Sequence, residues 1–254
     1  MMNEKRREDM ARRIAALGRY RAITGATVLE LGADKDGISA KMLADAGARR
    51  VISTNLDDDW RGSVDGVIER QRLDARAIPE AFEPGSIDIV FGVAVLEHID
   101  GLDAFFAGVR HALSAGGLLY VHGGPIWTSA IGHHIGFSGQ AKRYQFSDPK
   151  TNPIRAWTHL IFDKQTLAED MIACGTPVGD AQKIAKEVYD SDAINRVGYR
   201  SICSAFDGSG LNLIERLDNA FAMPPDDLLA AIERGKWAGE ERYDVSGVTL
   251  IARV

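Results

Sequence analysis

"VLELGADKDG", residues 28–37, decides how the rest of the chain reads. Its front end, taken back one residue as "TVLELG" (27–32), is a short apolar run of the kind that forms a buried strand. After it, "ISAKMLADAG" (38–47) sets Ile38, Met42 and Ala46 at helical spacing, with Gly47 where a helix C-terminal cap belongs. Between them, Gly32 lets the backbone turn tightly and Gly37 permits close approach at the helix start. The loop is not GxGxxG, because Ala33 to Asp36 replace the middle glycine of a pyrophosphate cradle. Asp34 and Asp36 would repel a dinucleotide's phosphates. An acid-rich loop suits a ligand with positive charge and no phosphate.

Outward from this unit the same beat repeats. "RRVIST" (49–54) and "IERQRLDA" (68–75) read as the second and third strands, and "SIDIVFGVAVL" (86–96) as the fourth, introduced by the turn "EPGS". A helix from about Asp103 to Leu113 turns Phe105, Phe106, Val109 and Leu113 inward and ends at "SAGG". "LLYVHGG" (118–124) is the fifth strand. Strands alternating with helices imply a parallel sheet with helices on both faces, since parallel neighbours need long crossovers. About 125–195 loses the beat and holds two helices, near 164–174 and 178–190, so it reads as an insertion or lid. The beat returns with a helix near 199–207, a strand at 211–217, a helix after Pro224-Pro225 and a last strand at about 243–254. The expectation is one domain over 1–254, opened by an amphipathic helix within 1–24 that points Met10, Ile14 and Leu17 inward.

Composition narrows the class. With 45 % apolar and 26 % charged residues the chain has enough to build a soluble core. A net charge of -6 argues against a nucleic-acid or anionic-membrane binder. No apolar run is long enough for a membrane span, and the N-terminus lacks a secretory h-region. Cys174 and Cys203 form no CxxC and read as reduced thiols of a cytoplasmic protein.

"VLELGADKDG", then "LDA" at 73–75, then "SIDIVFGVAVLEHI" resembles the class I methyltransferase family that uses S-adenosylmethionine. The likeness covers roughly 25–122, and the run ending in "VLEHI" is its most specific part. It implies a Rossmann-like α/β/α sandwich: a seven-stranded, mostly parallel sheet with an antiparallel last strand, plus the inserted lid. It also implies that Glu30 holds the loop and the methionine ammonium end, with Gly32 and Ala33 beneath the cofactor. Asn55, followed by Leu56, stands where the family usually has an acid gripping the ribose hydroxyls; this is a departure, and Asp57 is placed to share the task. Asp74 and Ala75 match the adenine turn. Val93, Ala94 and His98 match the segment beside the sulfonium, while Asp88 reads as a structural strand residue.

The acceptor side turns on "VHGGPIWTSAIGHHIGF" (121–137), which leaves the fifth strand on the rim where open α/β sheets bind ligands. A hydroxyl acceptor must lose a proton, and histidine is the side chain with a suitable unperturbed pKa. His134, His133 and His98 are therefore the candidate general bases. Trp127, Tyr144, Trp157 and His159 are candidate substrate-binding residues, suited to a sugar or an aromatic ring and equally to a lid's own core. His111 reads as a helix-surface residue and His122 as a core strand residue. Glu97, His98, His133 and His134 offer a minority Mg²⁺ site without diagnostic spacing.

The leading expectation is O-methylation of a small-molecule hydroxyl, a saccharide or specialised metabolite, by an enzyme whose partners include no nucleic acid and that leaves room for a homodimer. The rivals are N-methylation of a small amine and non-catalytic cofactor binding. An RNA methyltransferase is disfavoured by the acidic charge and the missing Asn-Pro-Pro-Tyr-type tetrad. The interrupted glycine pattern disfavours a nicotinamide dehydrogenase.

Overall fold

The computed structural model describes residues 4–140 and 142–254. The elements run α1 (Glu4–Leu17), β1 (Thr27–Leu31), α2 (Ile38–Asp45), β2 (Arg50–Asn55), β3 (Gly62–Ser63), β4 (Ile68–Arg72), α3 (Ile78–Ala81), β5 (Ile87–Gly92), α4 (Leu102–Ala112) and β6 (Leu113–Gly123). They continue with β7 (Gly136–Ser138), β8 (Arg143–Gln145), α5 (Thr158–Ile161), α6 (Lys164–Ala173), α7 (Val178–Asp190), α8 (Tyr199–Asp207), β9 (Asn212–Ala220), α9 (Asp226–Ile232) and β10 (Val245–Arg253). Short 3-10 turns lie at Ala75–Ala77 and Leu96–His98.

Eight strands form one sheet in the order β3-β4-β2-β1-β5-β6-β10-β9, with β7 and β8 as a separate pair. β1 lies parallel to β2 and β5, β2 parallel to β4, and β5 parallel to β6. All five residues of β1 are buried, as expected of a parallel strand covered on both faces. Seven strands are expected from the sequence and eight are found. The extra one is β3, whose two residues pair antiparallel with Arg70 and Glu69 across a tight turn at Asp65-Gly66. There the Asp65 carboxylate accepts the N–H groups of Val67 and Ile68.

Two compact units emerge. The first holds the chain up to His122 with Ser204–Leu217 and Thr249–Val254; the second holds Gly123–Cys203 and Asp218–Val248. In the first, Ile14 and Leu17 of α1 bury with Val28, Leu43, Val51, Ile89 and Phe91. Phe105, Phe106 and Val109 are inward on α4 as their spacing requires, and Phe106 meets Phe206 edge-on at 5.5 Å. Asp88 is structural: it accepts from the Thr27 N–H and the Ser114 hydroxyl and pairs with Arg21 at 2.7 Å.

Three boundaries differ from the sequence reading. α2 buries Ser39, Ala40 and Leu43, while Ile38 and Met42 are half-buried and Ala46 is exposed. β6 begins at Leu113, so "SAGG" lies within the strand as an irregular stretch and not as a helix end. β5 stops at Gly92, short of Leu96, because Ala94 takes a left-handed φ of 57° that breaks the extended run.

The second unit has its own apolar core, in which Trp127, Ile135, Tyr144, Trp157, Leu167, Met171, Ile184 and Tyr243 are buried. α6 starts at Asp163, whose carboxylate accepts the Thr166 N–H. Among the described residues no helix is long and apolar enough to cross a membrane.

Candidate functional site

At the carboxyl ends of β1, β5 and β6 the first unit encloses a cavity of about 340 Å³. Glu30, Leu31 and Gly32 line it from β1, Phe91, Val93 and Ala94 from β5 and the residues after it, and His122 from β6. α1 adds Arg6, Asp9, Met10 and Arg13, and the start of α2 adds Asp34 and Ser39. This is the rim on which open α/β sheets bind ligands.

The glycine loop is built by hydrogen bonding and by sterics. Asp34 accepts from the N–H groups of Asp36, Ile38 and Ser39 and from the Ser39 hydroxyl, so its carboxylate caps the start of α2. Burial raises its pKa, but these hydrogen bonds outweigh that and hold it below the usual carboxylate range. Gly32 has φ +64°, and a Cβ there would stand 2.5 Å from Cγ1 of Val95. The need for glycine thus comes from the backbone angle and from the neighbouring loop, not only from a ligand.

Glu30 is 2 % exposed. The hydroxyls of Ser39 and Ser53 both donate to its carboxyl, the second at 2.6 Å. Burial pushes its pKa up to about 7, against the pull of those two hydroxyls. Neither serine is visible as a partner from the glycine motif; both come from the pairing of β1 with β2 and from the first turn of α2.

The expected ribose and adenine positions are engaged within the protein. The Asn55 amide donates to the Ala33 carbonyl at 2.7 Å and accepts from the Asp57 N–H at 3.1 Å, so it ties the end of β2 to the glycine loop. Asp57 pairs with Lys35 at 3.4 Å. Leu56 projects outward, 59 % exposed. Asp74 caps the 3-10 turn at Ala75 through the Arg76 N–H and also binds the Arg76 guanidinium, which holds its carboxyl below the usual range.

The candidate histidines differ in burial and in partners. His98 closes the 3-10 turn that follows Val93 and Ala94, with its side chain 43 % exposed and Nε2 3.9 Å from Oε1 of the buried Glu97. His134 takes a left-handed φ of 51° and sets its ring edge-on to Phe146 at 4.5 Å. His133 is 1 % exposed; its Nδ1 accepts the Ile135 N–H at 3.3 Å, and its Nε2 lies 3.4 Å from the Asn152 amide nitrogen. Burial, then the neighbouring His159 and His134, hold its pKa well below the ordinary value. This is a neutral imidazole engaged in its own loop.

The four aromatic candidates for acceptor binding belong to the second unit's core. His159 donates from Nε2 to the Trp127 carbonyl at 2.8 Å and meets the Trp127 ring edge-on, and Trp157 donates to the Tyr243 carbonyl at 3.1 Å. Tyr144 donates to the buried Asp180 at 3.1 Å. The Tyr144 hydroxyl, the Trp157 indole and Nε2 of His159 are engaged by the chain itself, while Trp127 Nε1 and His159 Nδ1 have no partner among the described residues.

His122, Ser39 and the α1 side chains are among the cavity residues that the sequence reading did not assign to a ligand. His122 was expected in the core. It is 8 % exposed but lines the cavity. For α1, the signal was present: Arg6, Asp9, Met10 and Arg13 recur at the three- and four-residue spacing of one helix face.

Residues 29–121 match the model of the family described as "Methyltransferase domain". A search among curated proteins finds no match. Among solved structures, an S-adenosylmethionine-dependent methyltransferase from Mesorhizobium loti is similar with a TM-score of 0.55 and 16 % identity, over 94 % of this chain and 96 % of that one. The geranyl diphosphate C-methyltransferase of Streptomyces coelicolor A3(2), solved with Mg²⁺, geranyl diphosphate and S-adenosyl-L-homocysteine, gives 0.54 and 13 %, over 99 % and 84 %. Phosphoethanolamine N-methyltransferase 2 of Haemonchus contortus, solved with S-adenosyl-L-methionine, gives 0.52 and 14 %, over 95 % and 52 %. At these identities the likeness is one of fold. Residues 29–121 thus match a methyltransferase domain, and the chain shares the fold of S-adenosylmethionine-dependent methyltransferases.

Proposed function

We propose that the chain transfers the methyl group of S-adenosylmethionine to a hydroxyl of a small molecule, with His98 as the proton acceptor. The cofactor fits the residues present: a cavity walled by two arginines and by Asp9, Asp34 and Glu30 suits an amino-acid end that carries both signs of charge. When bound, the cofactor supplies a methyl group activated by a sulfonium. The chain's own work is to orient the two partners and to take up the proton that a hydroxyl must lose.

One observation carries the choice of His98: it is half-exposed only four residues beyond Ala94, which lines the cavity, whereas His133 is sealed in its loop. Net charge of -6 supports a small acceptor over a nucleic acid. The fold does not choose the acceptor atom, since carbon and nitrogen methyltransferases share it.

Isotope transfer from labelled S-adenosylmethionine to panels of small alcohols, phenols and amines identifies the acceptor. With a hydroxyl acceptor, His98→Ala lowers kcat about 10²- to 10⁴-fold. A nitrogen acceptor with full activity in His98→Ala would overturn this reading. Failure to transfer label to any acceptor would favour a binding protein.

A further inference from the structure

His122 stands one residue before the end of β6 and is 8 % exposed, yet neither of its ring nitrogens has a hydrogen-bond partner among the described residues. Buried imidazoles in stable folds are normally paired, because an unsatisfied polar group is costly to desolvate. An apolar side chain of similar size would fill the same place without that cost. The fold nevertheless keeps a polar ring there, and the space it lines is the 340 Å³ cavity.

The character of that cavity indicates what the ring meets. Arg6 and Arg13 bring positive charge, and Asp9, Asp34 and Glu30 bring carboxyls. Arg13 holds Asp9 at 2.8 Å and also reaches the Tyr120 hydroxyl, two residues from His122 along β6. A wall of mixed sign complements a group of mixed sign. In S-adenosylmethionine only the amino-acid end, with its ammonium and carboxylate, fits that description; adenine and ribose are uncharged.

A neutral imidazole offers one N–H donor and one acceptor lone pair together. Burial, and then the charge of Arg13, keep His122 neutral by lowering its pKa to about 4. It can therefore donate to a carboxylate or accept from an ammonium without adding a positive charge beside a sulfonium.

We propose that His122 is a positioning residue that hydrogen-bonds the amino-acid end of the cofactor, giving its buried ring nitrogens their partner. This rests on S-adenosylmethionine being the cofactor. The ring would share that end with the α1 side chains, so the fifth strand of the parallel series and the N-terminal helix would read the same group.

Calorimetric titration with two ligands tests it: S-adenosylhomocysteine, and 5′-methylthioadenosine, which lacks the amino-acid end. His122→Leu is expected to weaken S-adenosylhomocysteine about tenfold or more, the loss expected for a hydrogen bond to a charged group. Affinity for 5′-methylthioadenosine stays unchanged, and the melting temperature of the free protein does not fall. His122→Gln, which keeps a donor and an acceptor, restores most of the preference for S-adenosylhomocysteine. It also serves as the readout if the leucine variant does not fold. Equal weakening of both ligands, no weakening of either, or a glutamine variant without the preference would overturn the assignment. Wild-type protein that binds neither ligand would remove the cofactor itself, and the assignment with it.

Discussion

The backbone N–H of Val95 donates to the carbonyl of His122 at 3.1 Å, fastening the turn after β5 to the end of β6. The Val95 side chain is 5 % exposed and lies against two glycines. A Cβ on Gly32 would come within 2.5 Å of its Cγ1, and one on Gly92 within 2.9 Å of its Cγ2. Three strand ends thus meet on one valine, and they are the ends that line the cavity.

Gly32→Ala therefore fails twice, through a left-handed φ and through collision with Val95. The expected cost is about 1–3 kcal/mol. Thermal unfolding shows it as a lower midpoint, by about 2–4 °C per kcal/mol for a chain of this size. Val95→Ala added to Gly32→Ala recovers part of the loss, since it relieves the collision and leaves the strain. An alanine variant as stable as the parent would mean that the two loops are not fitted as described.

Glu30 links stability to pH. Its carboxyl moves from 4.5 to about 7 on folding, so the folded state keeps a proton that the unfolded chain releases. The contribution is fully present below about 4.5 and is lost as pH rises through about 7. Glu30→Gln stays neutral and lacks this dependence. Urea unfolding of both proteins from pH 4.5 to 8 is expected to show the parent losing ground to the variant by on the order of 3 kcal/mol. A flat difference would show a carboxyl that titrates normally.

His159 works in the opposite direction. Burial lowers its pKa to about 4, with the hydrogen bond to Trp127 opposing, and His133 is lowered as well. Between about pH 6.5 and 4 the unfolded chain takes up protons that the folded second unit refuses, so stability is present at neutral pH and lost as pH falls. His159→Gln, which can still donate to the Trp127 carbonyl, is expected to flatten that acid limb. An unchanged limb would place the titration elsewhere.

Asn55→Asp tests whether this position grips ribose or braces the loop. The aspartate keeps an acceptor for the Asp57 N–H but puts a carboxylate against the Ala33 carbonyl in place of a donor. About 1–3 kcal/mol of stability is expected to go, seen as a lower melting temperature of the free protein. An aspartate variant of unchanged stability that binds S-adenosylhomocysteine more tightly would favour the ribose role.

Much of the frame was legible because periodicity is local. The helices near 178–190 and 199–207 fall on α7 and α8, and "TVLEL" is β1 as its unbroken apolar run requires. β3 was missed because a two-residue strand has no period to detect, although Asp65-Gly66 marks its turn. The site was less legible because its chemistry depends on partners distant in sequence. Apolar neighbours in "LLYVHGG" suggest a packed His122 and cannot show that both nitrogens lack a bond. Asn55 looked like a weakened ribose ligand until its amide was found on Ala33. Paired His133 and His134 looked like one catalytic feature, but His133 lies buried beside His159 and Asn152 while the His134 ring stands edge-on to Phe146.

The position of α1 reaches beyond catalysis. Four of its side chains, Arg6, Asp9, Met10 and Arg13, wall a cavity whose other walls are strand ends from β1, β5 and β6 and the start of α2. A chain with that helix undocked has no complete cavity, so a ligand of the cavity binds the fully assembled form alone and favours it by mass action. In a cell where opened chains are continually degraded, the methyl donor would then govern abundance as well as turnover. A shortage of it would shorten the protein's life before it slowed the reaction.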